Sequence, residues 1–266
     1  MKKAFVRNLP KNLTSYDFLK SLAVITMIID HMGIYFFPDQ MGWRVVGRLS
    51  LPIWMFLIGY AQTRKIPPAL YWGAGILVLS NIVMGQGIFP LNVLATIIIL
   101  RLTIDYVMQF ALSSYQNMFL GVAAITIIVF PTMFVFEYGT QAVLFGMFGY
   151  MVRHQKKIGF SNEQILIFMF VALTVYSVFQ KITIGLDDIE FYTMAAGLLL
   201  VNLMLSVFQP KLYPELTEKL PAFVTEIFKL LGRQTLEIYV IHILLFQAAA
   251  FWLFPGRFSL FDVSLF

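Results

Sequence analysis

The stretch from Leu19 to Ala61 reads LKSLAVITMIIDHMGIYFFPDQMGWRVVGRLSLPIWMFLIGYA. Two long apolar runs flank a short polar hinge, and each run is long enough to cross a bilayer. Lys20, Asp30, His31, Arg44 and Arg48 are set into them. An ionisable group inside such a run costs about 2.5–3.5 kcal/mol on insertion scales and usually marks a site. Five within thirty residues make this stretch the centre of the reading.

The rest of the chain fits that environment. Of 266 residues, 59% are hydrophobic and only 12% charged, with a mean hydropathy of +0.80. A water-soluble domain is nearer half apolar and a quarter charged. Only helices and closed barrels satisfy their backbone in lipid. These runs are longer and more continuous than the alternating segments of about ten residues that a barrel needs. The expected fold is therefore all-α: a polytopic helical membrane protein of about nine transmembrane helices, forming one integral membrane domain over residues 1–266. The first run is not read as a cleaved signal peptide. It carries Asp30 and His31, lacks a small-residue cleavage site, and is followed by more spans.

The nine expected spans lie at roughly 19–37, 45–62, 69–84, 88–108, 118–136, 139–153, 163–183, 189–208 and 233–254. Pro38 and Asp39 close the first, Pro67 and Pro68 separate the second from the third, and Gly85 and Gly87 make a tight turn before Pro90. Within the 209–231 loop, AFVTEIFKLLG places Phe223, Ile227 and Leu230 at helical spacing, as in an interfacial amphipathic helix. With nine spans, Lys2, Lys3, Arg7, Lys11, Arg64, Lys65, Arg153, Lys156, Lys157, Lys211, Lys219 and Lys229 fall on one side. That distribution predicts a cytoplasmic N-terminus and an extracytoplasmic C-terminus. It also accounts for the net charge of +5 without a nucleic-acid partner.

The chemistry available is limited. Without cysteine there is no thiolate nucleophile, disulfide or thiolate metal site. His31, His154 and His242 are too scattered to suggest a metal site from spacing. Lys20 and His31, eleven residues apart, lie within roughly 20° of one helix face and about 16 Å apart along it. A cation at the mouth and an imidazole further in suit a ligand that is anionic at one end and reactive at the other. Lys20 alone reads as well as a snorkelling lysine. His31 is a natural general base, or else a core histidine holding helices together. Asp30, the residue before it, does not share its face. Asp30 either tunes His31 or pairs with an arginine.

Arg44 and Arg48, at i and i+4, can cradle a phosphate, a carboxylate or Asp30. Arg44 alone can also be an interface anchor. Arg101 and Asp105, at i and i+4, read as an intrahelical ion pair. In the last span Arg233 and Glu237 stand at i and i+4, and Tyr239 and His242 at i and i+3. These residues line a cavity or join helices by hydrogen bonds. Asn81 and Asn92 are candidates for the same cavity wall.

LKSLAVITMIIDHMG followed by RVVGRLSLPIWMFLIGYAQTR resembles the TraX family of bacterial membrane acetyltransferases, whose namesake acetylates the N-terminus of conjugative pilin. The shared elements are the spacing of Lys20 and His31, the Asp30–His31 pair, and Gly47–Arg48 with Pro52. GRQTLEIYVIH is similar to the closing helix of the wider acyltransferase family 3. Those enzymes carry arginine where this chain has Lys20. The resemblance implies an acyl-CoA donor, most simply acetyl-CoA, entering from the cytoplasm. It implies an extracytoplasmic acceptor, a protein N-terminus or a glycan. The expected roles are His31 and Asp30 in catalysis, and Lys20, Arg44, Arg48, Arg101, Tyr239 and His242 in binding donor or acceptor, with no metal. The rival from another class is a proton-coupled transporter that uses Asp30, His31 and Arg48 as a relay. It lacks a detectable inverted repeat.

Overall fold

Apolar sequence becomes helix throughout this computed structural model, which describes residues 10–261 and 265. Lys2, Lys3 and Arg7 of the charge argument lie outside those residues. The order is β1 (Leu13–Thr14), α1 (Ser15–Phe36), α2 (Met41–Gly47), α3 (Ser50–Tyr60), α4 (Pro68–Met84), α5 (Val93–Ala111), α6 (Tyr115–Ile127) and α7 (Val129–Met133). It continues through α8 (Gln141–Ile158), α9 (Asn162–Ile184), α10 (Asp188–Ser206), β2 (Leu212–Tyr213), α11 (Pro214–Lys219), α12 (Ala222–Arg233) and α13 (Thr235–Leu253).

Five of these helices, α1, α5, α9, α10 and α13, are long and apolar enough to cross a membrane, while α4 and α6 are apolar but shorter. The nine expected spans thus all fall on helices, but two are broken. The segment at 45–62 is not one span. Pro52 has no N–H to give the carbonyl of Arg48, and its ring would clash with that carbonyl in a continuous helix. The chain therefore turns at Arg48–Leu49 and restarts as α3. Pro131 stands in the same relation to Ile127, where α6 ends and α7 follows. The glycine turn at 85–87 holds, with both glycines at positive φ.

α3 is the post of the bundle. All of its residues but Trp54 are buried. It lies against α8, with α5, α1 and α10 around it. The α3–α8 crossing brings backbones together, because a Cβ on Gly59 would strike the Gly146 carbonyl and one on Gly149 would strike that of Phe56. Small residues allow such an approach, and the close packing replaces lipid contacts. A large core fills the space between α3, α5, α8, α9 and α10. A smaller one, with Val24, Met27, Leu70, Leu77, Leu94, Tyr239 and Ile243, joins α1 to α4, α5 and α13. α1 serves both cores, so its polar residues sit at the seam.

The N-terminal end of α1 is tied down by local chemistry. Thr14 and Asp17 form a reciprocal capping box, and β1 pairs antiparallel with β2. α12 is a helix as its periodicity predicts, and Phe223, Ile227 and Leu230 are exposed on it. The reading of Arg233 with Glu237 is corrected. Arg233 closes α12, one residue before the break at Gln234, and its guanidinium binds Asp17 through Nε and Nη2 at 3.0 and 3.1 Å. Glu237 is exposed.

Candidate functional site

The hinge Phe37–Gln40 folds α2 back along α1. The close fit depends on Gly47, where a Cβ would collide with the backbone and side chain of Asp30. Asp30 therefore lies against the start of the α2–α3 break, and Arg44 and Arg48 both reach it. Arg44 Nη1 donates to Asp30 Oδ2 at 3.2 Å. Arg48 Nε stands 3.8 Å from Oδ1, close enough for ionic attraction but too far for a hydrogen bond. Asp30 and Arg48 are 4% and 6% exposed. Asp30 Oδ1 and Arg48 Nε have no hydrogen-bond partner among the described residues. The open question about Asp30 is thus answered: it pairs with arginines on the face away from His31.

The helix break supplies Arg48 with further partners. Its carbonyl, released by Pro52, accepts from Tyr176 Oη at 3.0 Å. Its Nη1 donates to Tyr138 Oη at 2.7 Å, and the guanidinium lies over the Tyr138 ring at 5.3 Å. Tyr138 has φ +69°, a conformation that costs a residue with a Cβ about 1–3 kcal/mol and persists only where its surroundings impose it. Here they do. The preceding Glu137 accepts from Val93 N at the start of α5 through Oε2, and from Thr96 Oγ1 through its carbonyl. Glu137 is also near enough to Arg48 and Asp30 to interact with them electrostatically. Tyr138, Glu137 and Tyr176 were not singled out in the sequence. The adjacent Tyr138–Gly139 pair, a turn inside apolar sequence, was the available signal.

On the other face of α1, His31 meets α13. His31 Nδ1 and His242 Nε2 are 2.8 Å apart, and His242 Nδ1 is 2.7 Å from the carbonyl of Ile238. The rings are 9% and 8% exposed. Tyr239 flanks both, its centroid 5.9 Å from that of His31 and 5.8 Å from that of His242. Phe246 meets the His242 ring edge-on at 5.4 Å. Arg48 acts electrostatically on His31. The structure therefore gathers Asp30, His31, Arg44, Arg48, Tyr239 and His242 around one turn of α1.

Lys20 lies three turns nearer the N-terminus of α1. Arg101 donates to the Lys65 carbonyl at 3.1 Å, and Asp105 takes Arg64 as its ion partner at 3.0 Å, a correction to the intrahelical reading. Arg64 also donates to the carbonyls of Ile58 and Ala61, capping the end of α3. Asn92 caps α5 and binds the Ala74 carbonyl. Asn81 instead joins a second polar cluster with Ser80, Gln86 and the fully buried Gln247.

Asp30, His31 and His242 stand on two helices of membrane-crossing length, α1 and α13, and with Arg44 and Arg48 they define a polytopic membrane protein with an internal polar site. The description "TraX protein" matches residues 15–216, so the chain belongs to the TraX family. It is 29% identical over 183 residues to an uncharacterized protein of Rickettsia prowazekii, covering 68% of this chain and 72% of that protein. No solved structure matches.

Proposed function

We propose that this protein moves an acyl group, most simply acetyl, from acyl-CoA to a hydroxyl or amine acceptor on the other side of the membrane, with His31 as general base. The observation that carries this reading is the placement of His31. An imidazole is buried in a membrane-length helix and in contact with a second histidine.

The reaction asks little else of the protein. His31 takes the proton of the acceptor hydroxyl or amine as that atom attacks the thioester carbonyl. The tetrahedral oxyanion then collapses, the C–S bond breaks, and the CoA thiolate receives the proton from His31. A general base supplies roughly 10²–10⁴-fold. Arg48 adds fixed positive charge near the developing oxyanion, where a dry site strengthens it. Asp30 supports Arg48. Lys20, about 16 Å down the same helix face, suits the anionic end of the donor. Donor entry from the cytoplasm is what the TraX resemblance implies. The TraX resemblance favours a protein N-terminus as acceptor, and a glycan hydroxyl would use the same base.

The test is CoA release by purified protein in lipid nanodiscs given acetyl-CoA and either a peptide amine or a sugar hydroxyl. Acetyl on the acceptor with stoichiometric free CoA is expected. CoA release with neither acceptor class, together with solute-driven proton uptake in proteoliposomes, would replace this reading with the proton-coupled transporter.

A further inference from the structure

We infer that His242 is the positioning partner of His31: it fixes which nitrogen of His31 carries the proton and shares the positive charge that His31 gains. This rests on His31 being the base. It gives His242 the orienting task for which the sequence offers Asp30, in place of the donor- or acceptor-binding role that the resemblance implies for it.

The inference follows from one carbonyl. The oxygen of Ile238 can only accept, so His242 Nδ1, 2.7 Å away, must carry a hydrogen. Neutral imidazole has one N–H, so His242 Nε2 presents a lone pair. His31 Nδ1, 2.8 Å from it, must then donate. The single hydrogen of neutral His31 is thereby placed on Nδ1, and its Nε2 is left as the basic nitrogen. The state of two rings, 211 residues apart in sequence, is set by a helix carbonyl four residues before the second. Both rings are held in place, by Tyr239 beside them and by the edge contact of Phe246 on His242.

Asp30 cannot do this. It projects from α1 about 100° away from His31, and its carboxylate faces Arg44 and Arg48. The histidine pair also handles charge. When His31 Nε2 takes the acceptor proton, the ring becomes an imidazolium with hydrogens on both nitrogens. The Nδ1 hydrogen can pass along the existing bond to His242 Nε2. The charge then lies on His242, whose Nδ1–H still donates to Ile238, and the hydrogen returns when His31 protonates the thiolate. No atom is gained or lost in the relay.

The experiment compares His242→Leu, which removes the acceptor, with His242→Gln, whose Oε1 can still accept from His31 but cannot take a charge. Tautomers are read from 15N-histidine NMR, with the His31 signals assigned by their absence in His31→Ala. Single-turnover acetyl transfer and CoA binding are measured alongside. Wild type and His242→Gln should hold His31 with hydrogen on Nδ1, and His242→Leu should lose that form. Transfer should fall about tenfold in His242→Gln and about a hundredfold in His242→Leu, part of what a general base supplies, with CoA binding unchanged. Persistence of the Nδ1–H form in His242→Leu, or equal transfer by the two variants, would overturn the inference. If wild type transfers no acetyl while the tautomers respond as described, the acyl-transfer reading falls and only the assignment of the His31 hydrogen by His242 stands.

Discussion

Asp17 and Asp30 are both buried carboxylates on α1 paired with arginine, and they are built to different standards. Asp17 accepts from Arg233 on both oxygens and from the backbone and hydroxyl of Thr14, at 2.9–3.1 Å. Every contact is short, and the pair fastens α12 to the first turn of α1. Asp30 faces two guanidiniums but makes one hydrogen bond, of 3.2 Å, and leaves Oδ1 and the facing Arg48 Nε without one. A buried charge pair repays its desolvation only when its geometry is good. Asp17 meets that condition and Asp30 does not. On the acyl-transfer reading, the difference separates an ion pair that holds the fold together from one that keeps Arg48 beside His31 at a cost in stability.

Substitutions at the two carboxylates should have different effects. Asp30→Asn takes from Arg44 and Arg48 the carboxylate they share, and Arg48 is only 6% exposed, so it should cost about 5 kcal/mol, the upper end for a broken buried pair. It should also lower acetyl transfer per folded molecule, through Arg48. Asp17→Asn should cost less, about 3 kcal/mol, because Arg233 is 16% exposed and can recover water. Its transfer rate per folded molecule should match wild type. Unfolding of each variant in detergent, with transfer normalised to the folded fraction, separates the two. Equal rates for both variants would remove the distinction.

Gly47→Ala forces a Cβ into Asp30 and should cost about 1–3 kcal/mol, the range for overpacking. It should shift the rate with the stability, since the same contact sets the position of the Arg48 turn. The smallest effect is expected at Lys20. Lys20→Ala should weaken CoA binding by about tenfold or less, equivalent to at most about 1.4 kcal/mol, and the wild-type affinity should fall as salt rises. Transfer at saturating CoA should be nearly unchanged. Binding that ignores both salt and Lys20 would remove this residue from the donor path.

How much of this was legible beforehand depended on the range of the interaction. Continuous apolar runs gave the helices, and the helical phase of Lys20 with His31 gave the face of α1. The breaks before Pro52 and Pro131 were written in the sequence but hidden by hydropathy, because a kinked segment is as apolar as a straight one. Hydropathy also misread α3. A helix apolar all round can be wrapped in lipid or in protein, and this eleven-residue helix is wrapped in protein. At the site, spacing showed that Asp30 and His31 point apart, and Arg44 and Arg48 at i and i+4 were visible as its partners. The meeting of His31 with His242 was not visible. It depends on how α13 packs beside α1, and the two residues looked scattered. Tyr138 was equally hidden, since its reach to Arg48 comes from a left-handed turn that Glu137 fastens to α5.

His31 remains the residue on which the functional account depends. Single-turnover acetyl transfer by folded His31→Ala protein, with acetyl-CoA saturating, tests it most directly. The loss of a general base predicts a fall of at least about a hundredfold, with CoA binding retained, because the donor's phosphates would lie some 16 Å away along α1. Transfer at the wild-type rate would make His31 a structural histidine and contradict the assignment.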